Sequence, residues 1–158
     1  MEEIEEFRTF EGVLVEDVGE YVKEFIQENP GARVFVGSDS QVKSNRIVFA
    51  TVICLYKPNT GAHVIYTKAT TEEDHMESLH QRLMREVNDT MQVAFALRDE
   101  VGDRIEIEVH FDIAEEAKHK SNVAYGDAVS YAMGSDFDFK TKPASASFAA
   151  SCVADQLC

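Results

Sequence analysis

Between Asp103 and Asp112 the sequence alternates without a break: Ile105, Ile107, Val109 and Phe111 fall on one side of an extended chain, and Glu106, Glu108, His110 and Asp112 on the other. This run follows a long helical stripe, Leu79, Leu83, Val87, Thr90 and Ala94, which continues to Arg98. A strand joined to a sheet through a long helix runs parallel to an existing strand by a right-handed crossover. The fold must therefore mix helices with a partly parallel sheet.

Three extended runs precede that helix. Arg33 to Val36 leads into the polar Gly37-Ser38-Asp39-Ser40, which predicts a strand ending in a loop. A second strand is expected over Arg46 to Tyr56. After the turn signal Lys57-Pro58-Asn59-Thr60-Gly61, a third spans His63 to Lys68. Thr70 or Thr71 is expected to cap the long helix. Upstream, Val15, Val18, Val22, Phe25 and Ile26 form one stripe that Asn29-Pro30-Gly31 stops, giving an extra N-terminal helix over Val15 to Glu28. Downstream, a helix is expected over Ser121 to Met133, a short strand over Phe137 to Lys140, and a closing helix over Ala144 to Leu157. The expected architecture is an α/β fold: a mixed five-stranded sheet, three antiparallel strands and then parallel ones, flanked by helices. With 158 residues, 44% of them hydrophobic, and no repeat or linker, residues 1–158 read as a single domain with an acidic lead-in over 1–12.

No segment approaches the roughly 20 apolar residues of a membrane span. The start, Met-Glu-Glu-Ile-Glu-Glu, lacks the basic and apolar pattern of a secretory signal. Cytoplasm is the expected compartment. Three cysteines without C-x-x-C spacing suggest reduced structural thiols rather than a zinc site. The formal charge of −14 argues against a surface that binds polyanions everywhere, so a nucleic-acid role must rest on local features.

Asp39 closes the first expected strand and Asp112 the fourth. If those strands are parallel neighbours, both carboxylates emerge at one sheet edge. Their repulsion is tolerable around a divalent ion, and an all-oxygen set suits Mg²⁺ or Mn²⁺; the plainer alternative is two turn acids bonded to local backbone. Glu86 shares the helix face of Leu79 and Leu83, so it points at the sheet, where either a cation or a pairing with Arg82 or Arg85 would satisfy it. Glu77 and Asp89 sit further from the stripe and suit a solvated surface. Asp155 falls in an apolar stretch, Phe148 to Ala154, and also asks for a cation. Lys118-His119-Lys120 and the pair Lys140 and Lys142 are the tight basic clusters, explained either by phosphate contacts or by plain solvation. His110 reads as a satisfied surface residue or as a second contact behind Asp112. There is no G-x-S-x-G, no G-x-x-x-x-G-K-[ST] and no G-x-G-x-x-G, so acyl transfer by serine, NTP hydrolysis and dinucleotide redox chemistry have no support.

The segments Val36-Gly37-Ser38-Asp39-Ser40-Gln41, His110-Phe111-Asp112-Ile113, Lys120-Ser121-Asn122, Lys142-Pro143-Ala144 and Ser147 to Asp155 together resemble the bacterial ribonuclease H-like YkuK family. The resemblance implies a ribonuclease H-like fold with one acid each on the first strand, the long helix, the fourth strand and the last helix: Asp39, Glu86, Asp112 and Asp155. It departs after Val153-Ala154-Asp155, where Gln156-Leu157-Cys158 follows in place of a basic or His-containing tail, so the resemblance does not extend to a proton-shuttling His. The resemblance implies fold more firmly than reaction. The expected function is a two-metal nuclease or phosphodiesterase acting on RNA or DNA. Asp39 would bridge two Mg²⁺ or Mn²⁺ ions, the other three acids would complete the cage, and Ser38, Ser40 and Lys120 would orient ligands or phosphate. The rivals are a non-catalytic ribonuclease H-like interaction or regulatory module, which the negative charge favours, and a small-nucleotide phosphatase.

Overall fold

The computed structural model describes residues 6–73, 78–102, 105–142 and 157. Among these, seven strands form one mixed sheet and three α-helices pack on it. The strands are β1 (Phe7–Thr9), β2 (Leu14–Val15), β3 (Arg33–Lys43), β4 (Arg46–Lys57), β5 (Gly61–Glu72), β6 (Ile107–Ala114) and β7 (Asp138–Lys142); the helices are α1 (Val18–Glu28), α2 (Leu79–Val101) and α3 (Tyr125–Gly134). The sheet order is β2-β1-β5-β4-β3-β6-β7.

The mixed architecture is the one predicted, but seven strands replace the expected five. The two additions lie at the edge. Residues expected as an acidic lead-in form β1, where Phe7 is buried and pairs with Val15 while Arg8 pairs with Tyr66 of β5. One large apolar side chain with a partner outweighs the acidic composition around it. Val15 is thereby taken into β2, and α1 starts later than its apolar stripe, at the Asp17 cap whose carboxylate accepts from the Glu20 N–H. Gly19 allows α1 to approach α2, since a Cβ there would run into the Glu100 side chain.

The central hairpins are longer than predicted. β3 does not stop at Val36: it pairs with β4 in unbroken register from Arg33↔Tyr56 to Lys43↔Arg46, and the chain turns at Ser44, which takes a positive φ of 59°. Gly37 to Ser40 is thus mid-strand, not loop. β5 likewise runs through Thr70 and Thr71, paired with Val48 and Ile47, so neither can cap α2. Ser78 does so instead, accepting from the Gln81 N–H. β6 joins β3 in parallel, from Val34↔Ile107 to Gly37↔His110, as the crossover through α2 requires. The expected helix over Ser121 to Met133 divides into a 3₁₀ turn, Lys120–Ala124, and α3. β7 pairs in parallel with β6, with a register shift between His110 and Ala114. The closing helix expected over Ala144 to Leu157 lies outside the described residues except for Leu157, which is helical.

The sheet has two unlike faces. On one, Val34, Val36, Ile53, Leu55, Ile65, Val109, Phe111 and Ile113 pack with Val22 of α1, Val87, Met91 and Ala94 of α2, and Ala128 and Ala132 of α3. Each fully buried aliphatic chain there contributes about 1.5–3 kcal/mol. On the other face a smaller cluster, Phe35, Ala50, Val52, Cys54 and Val64, packs with Val48, Tyr66 and Leu157. No helix among the described residues is long and apolar enough to cross a membrane.

Candidate carboxylate site

The site grows out of the alternation of β3. Val34, Val36, Ser38 and Ser40 lie on the face that α2 covers, so a row begun in valine finishes in hydroxyls. Buried hydroxyls need partners. Thr90 Oγ1 of α2 donates to Ser38 Oγ at 2.9 Å, and Ser38 Oγ lies 2.8 Å from Thr51 Oγ1 of β4. Ser38 is therefore bonded to both α2 and β4 and holds them together.

Ser40 is the node of a denser network. Its hydroxyl donates to Glu86 Oε2 at 2.5 Å and accepts from Arg82 Nε at 2.7 Å. A terminal guanidinium nitrogen of Arg82 donates to the Ser40 carbonyl at 2.8 Å. The Ser40 backbone N–H in turn donates to Asp39 Oδ1 at 2.8 Å. Glu86 is only 5% exposed, as its helical phase predicted. Its pairing with Arg82, one of the two alternatives to a cation, exists through Ser40. Arg85 turns instead to Asp89, with Nε 2.9 and 3.1 Å from the two carboxylate oxygens, and lies over the Phe49 ring. Asp89 is thus a paired surface acid; Glu77 lies outside the described residues.

Asp39 and Asp112 occupy level positions, each two residues beyond the Gly37↔His110 pair on parallel neighbours. Neither ends its strand, since β3 runs on to Lys43 and β6 to Ala114. Alternation assigns both to the face of Phe35 and His110, whose rings stack with centroids 4.8 Å apart. The acids thus straddle β3, with Glu86 arriving over α2's face. They nonetheless feel one another. Burial first, then the charge of Asp39, raises the Glu86 carboxyl well above the usual carboxylate range; the Ser40 hydrogen bond and Arg82 pull it back, and Asp112 adds to the rise.

The fit of a divalent ion rests on this donor chemistry. Buried carboxylates that disfavour each other's charge, with no sulfur among them, suit a hard cation such as Mg²⁺. Among the described residues, no group of three His, Cys, Asp or Glu side chains is arranged to hold an ion, and Asp155, the fourth expected donor, lies outside them.

Lys120 is exposed at the start of the 3₁₀ turn. The following residues tie that turn to the end of β6: the Ala114 N–H donates to Ser121 Oγ at 2.9 Å, and Asn122 Nδ2 donates to the carbonyls of Ala114 and Glu115 at 3.1 and 2.9 Å. Lys118 pairs with Glu116 at 2.9 Å on the open surface. His110 corrects its surface reading. It is 1% exposed, with Nε2 2.9 Å from Glu108 Oε1, and Glu108 also meets Arg33 at 3.4 Å. The alternation that put it beside Asp112 was visible, but the covering of that face was not. Arg82 was legible only as a cation four residues before Glu86.

These features belong together in one class of fold: the chain is a member of the ribonuclease H-like family, which it matches over residues 17–158. Membership points to nucleic-acid-related nuclease activity at the level of the family. Among solved structures, it is similar to the N-terminal RNase H domain of a Mycobacterium tuberculosis protein, at 14% identity and a TM-score of 0.34 over 80% of this chain and 96% of that one. RNase H1 of the halophilic archaeon Halobacterium salinarum matches at 15% identity and a TM-score of 0.33, over 80% and 99% of the two chains. An RNase H1 isolated from compost matches at 16% and 0.32, over 79% and 91%. No curated protein matches the sequence.

Proposed function

We propose that this chain is a divalent-metal-dependent phosphodiesterase acting on nucleic acid, with Asp39, Glu86, Asp112 and Asp155 as the ligands of two Mg²⁺ or Mn²⁺ ions. The observation that carries this reading is Glu86: a buried helix carboxylate placed within the fields of two strand carboxylates, whose mutual repulsion a cation would relieve. Ribonuclease H-like proteins generally use Mg²⁺. When bound, such ions lower the pKa of an attacking water and stabilise the leaving oxygen. The chain's own residues do the positioning. The Ser40 N–H fixes one oxygen of Asp39, and the Ser40 hydroxyl fixes one oxygen of Glu86. Lys120 stands on the segment leaving β6 beyond Asp112, where its charge would hold a phosphate of the substrate. We further assign the chain to the YkuK-like group, as one domain over residues 1–158, working in the cytoplasm.

The test is a cleavage assay with Mg²⁺ or Mn²⁺ on single-stranded, duplex and hybrid RNA and DNA, with nucleotides alongside. Asp39→Asn is expected to lower the rate at least roughly a hundredfold. Cleavage that survives this substitution overturns the assignment. Release of phosphate from nucleotides alone marks a small-nucleotide phosphatase. The second reading, a non-catalytic interaction or regulatory module, is favoured by the charge of −14 and would show as neither cleavage nor metal-dependent stabilisation.

A further inference from the structure

A buried acid cluster has to be held together whether or not a metal is bound, and the structure contains a cation already committed to that task. Arg82 and Glu86 are four residues apart on α2, hence on one face of the helix, and both reach Ser40. Ser40 carries a single hydroxyl proton. Arg82 Nε can only donate, and the Ser40 proton goes to Glu86, so with Glu86 ionised the three groups form a directed chain: guanidinium to hydroxyl to carboxylate, at 2.7 and 2.5 Å. Charge at both ends polarises both bonds. The second contact, to the Ser40 carbonyl, makes the guanidinium grip β3 as a fork, a geometry that lysine cannot copy.

We propose that Arg82 is the resident counter-cation of this cluster: it holds Glu86 through Ser40 in the metal-free protein and opposes, by its charge, the entry of a divalent ion. The inference deepens the metal-dependent reading above and rests on it for the second half only. A fixed positive charge linked to a metal ligand through one hydroxyl repels an incoming cation, while the metal-free protein loses most when that charge is removed. The two effects have opposite signs in one variant, which a merely structural arginine would not show.

The experiment uses the full chain and two readouts, thermal unfolding in EDTA and calorimetric titration with MgCl₂ and MnCl₂. Arg82→Gln is expected to unfold about 3–6 °C lower in EDTA and to bind the ions roughly tenfold more tightly than wild type. Unchanged or weaker ion binding in Arg82→Gln overturns the competition. In Glu86→Gln, which has no charge to compensate, the further loss from Arg82→Gln is expected to shrink by at least half. An equal loss in both backgrounds overturns the counter-cation role. This cycle needs no metal. If wild type and Asp39→Asn alike bind no ion, the metal-dependent reading falls, while the cycle still decides the role of Arg82. Should Arg82→Gln not fold, Arg82→Lys serves in the same cycle. It keeps the charge without the fork and is expected to unfold below wild type in EDTA while binding ions with wild-type affinity; ion binding tightened to the extent of a lost charge would overturn the charge argument.

Discussion

The two sides of β3 are built from the same eleven residues and do opposite work. Toward α2 the side chains descend from Val34 and Val36, fully apolar and buried, to Ser38 and Ser40, whose hydroxyls are bonded to Thr90, Thr51, Glu86 and Arg82. On the other side Phe35 joins a small cluster, and Asp39 lies level with Asp112 on β6. One side binds the helix and the other presents charge. The lesson lies in where the first side changes character: α2 packs on the sheet through Val87, Met91 and Ala94, while Thr90, Glu86 and Arg82 of the same helix bond to the serines of β3. Stability and positioning thus fall to different residues of one helix.

That separation can be broken in order of size. Met91→Ala, at a position with no exposure, is expected to cost about 2–5 kcal/mol, read as a fall in the denaturant midpoint with little change of slope. If the apolar part is only an anchor, the Mg²⁺ or Mn²⁺ affinity of the remaining folded protein should be unchanged. A large affinity change would show that anchoring and positioning are not separable. Ser38→Ala is smaller. It removes a hydroxyl shared by Thr90 and Thr51 and leaves those two buried groups to find other partners, at about 1–3 kcal/mol. Restoring stability with Thr51→Val in the same chain, so that fewer polar groups are stranded, would identify the loss as one of hydrogen bonding rather than of packing.

Much of this was legible before the fold was seen, and the reasons it was not all legible are local. The order of central strands and helices followed from periodicity, because apolar residues at period two or at helical spacing are what a two-sided sheet must bury. Glu86 was correctly placed against the sheet by phase alone. Gly37-Ser38-Asp39-Ser40 misled because glycine, serine and aspartate are turn formers when nothing satisfies them; here α2 and β4 supply the partners, and those partners are distant in sequence. Phe7 was hidden among acids for the converse reason: a single apolar residue has no period. His110 looked exposed because its neighbours on that side, Glu108 and Asp112, are both acids, whereas its stacking on Phe35 across the strand pair and its burial show that this side is covered.

His110 supplies the finest test of the contrast between the two sides. Burial, only partly offset by the Glu108 carboxylate, holds its imidazole below the usual range. In the unfolded chain it takes up a proton near pH about 6.5, whereas in the native state it does so only at lower pH. Between those two values the unfolded state binds more protons, so stability is fully present above the unfolded value and is lost as pH falls toward the folded one, at no more than about 1.4 kcal/mol per pH unit. His110→Gln should remove this component, and unfolding free energies measured from pH 7 down to pH 5 should fall more gently in the variant than in wild type. Parallel curves would mean that the charged imidazole is accommodated beside Glu108 at little cost. The side of the sheet bearing Asp39 and Asp112 would then be open to water at that point, and the contrast with the dry face under α2 would be larger than the packing of Phe35 on His110 implies.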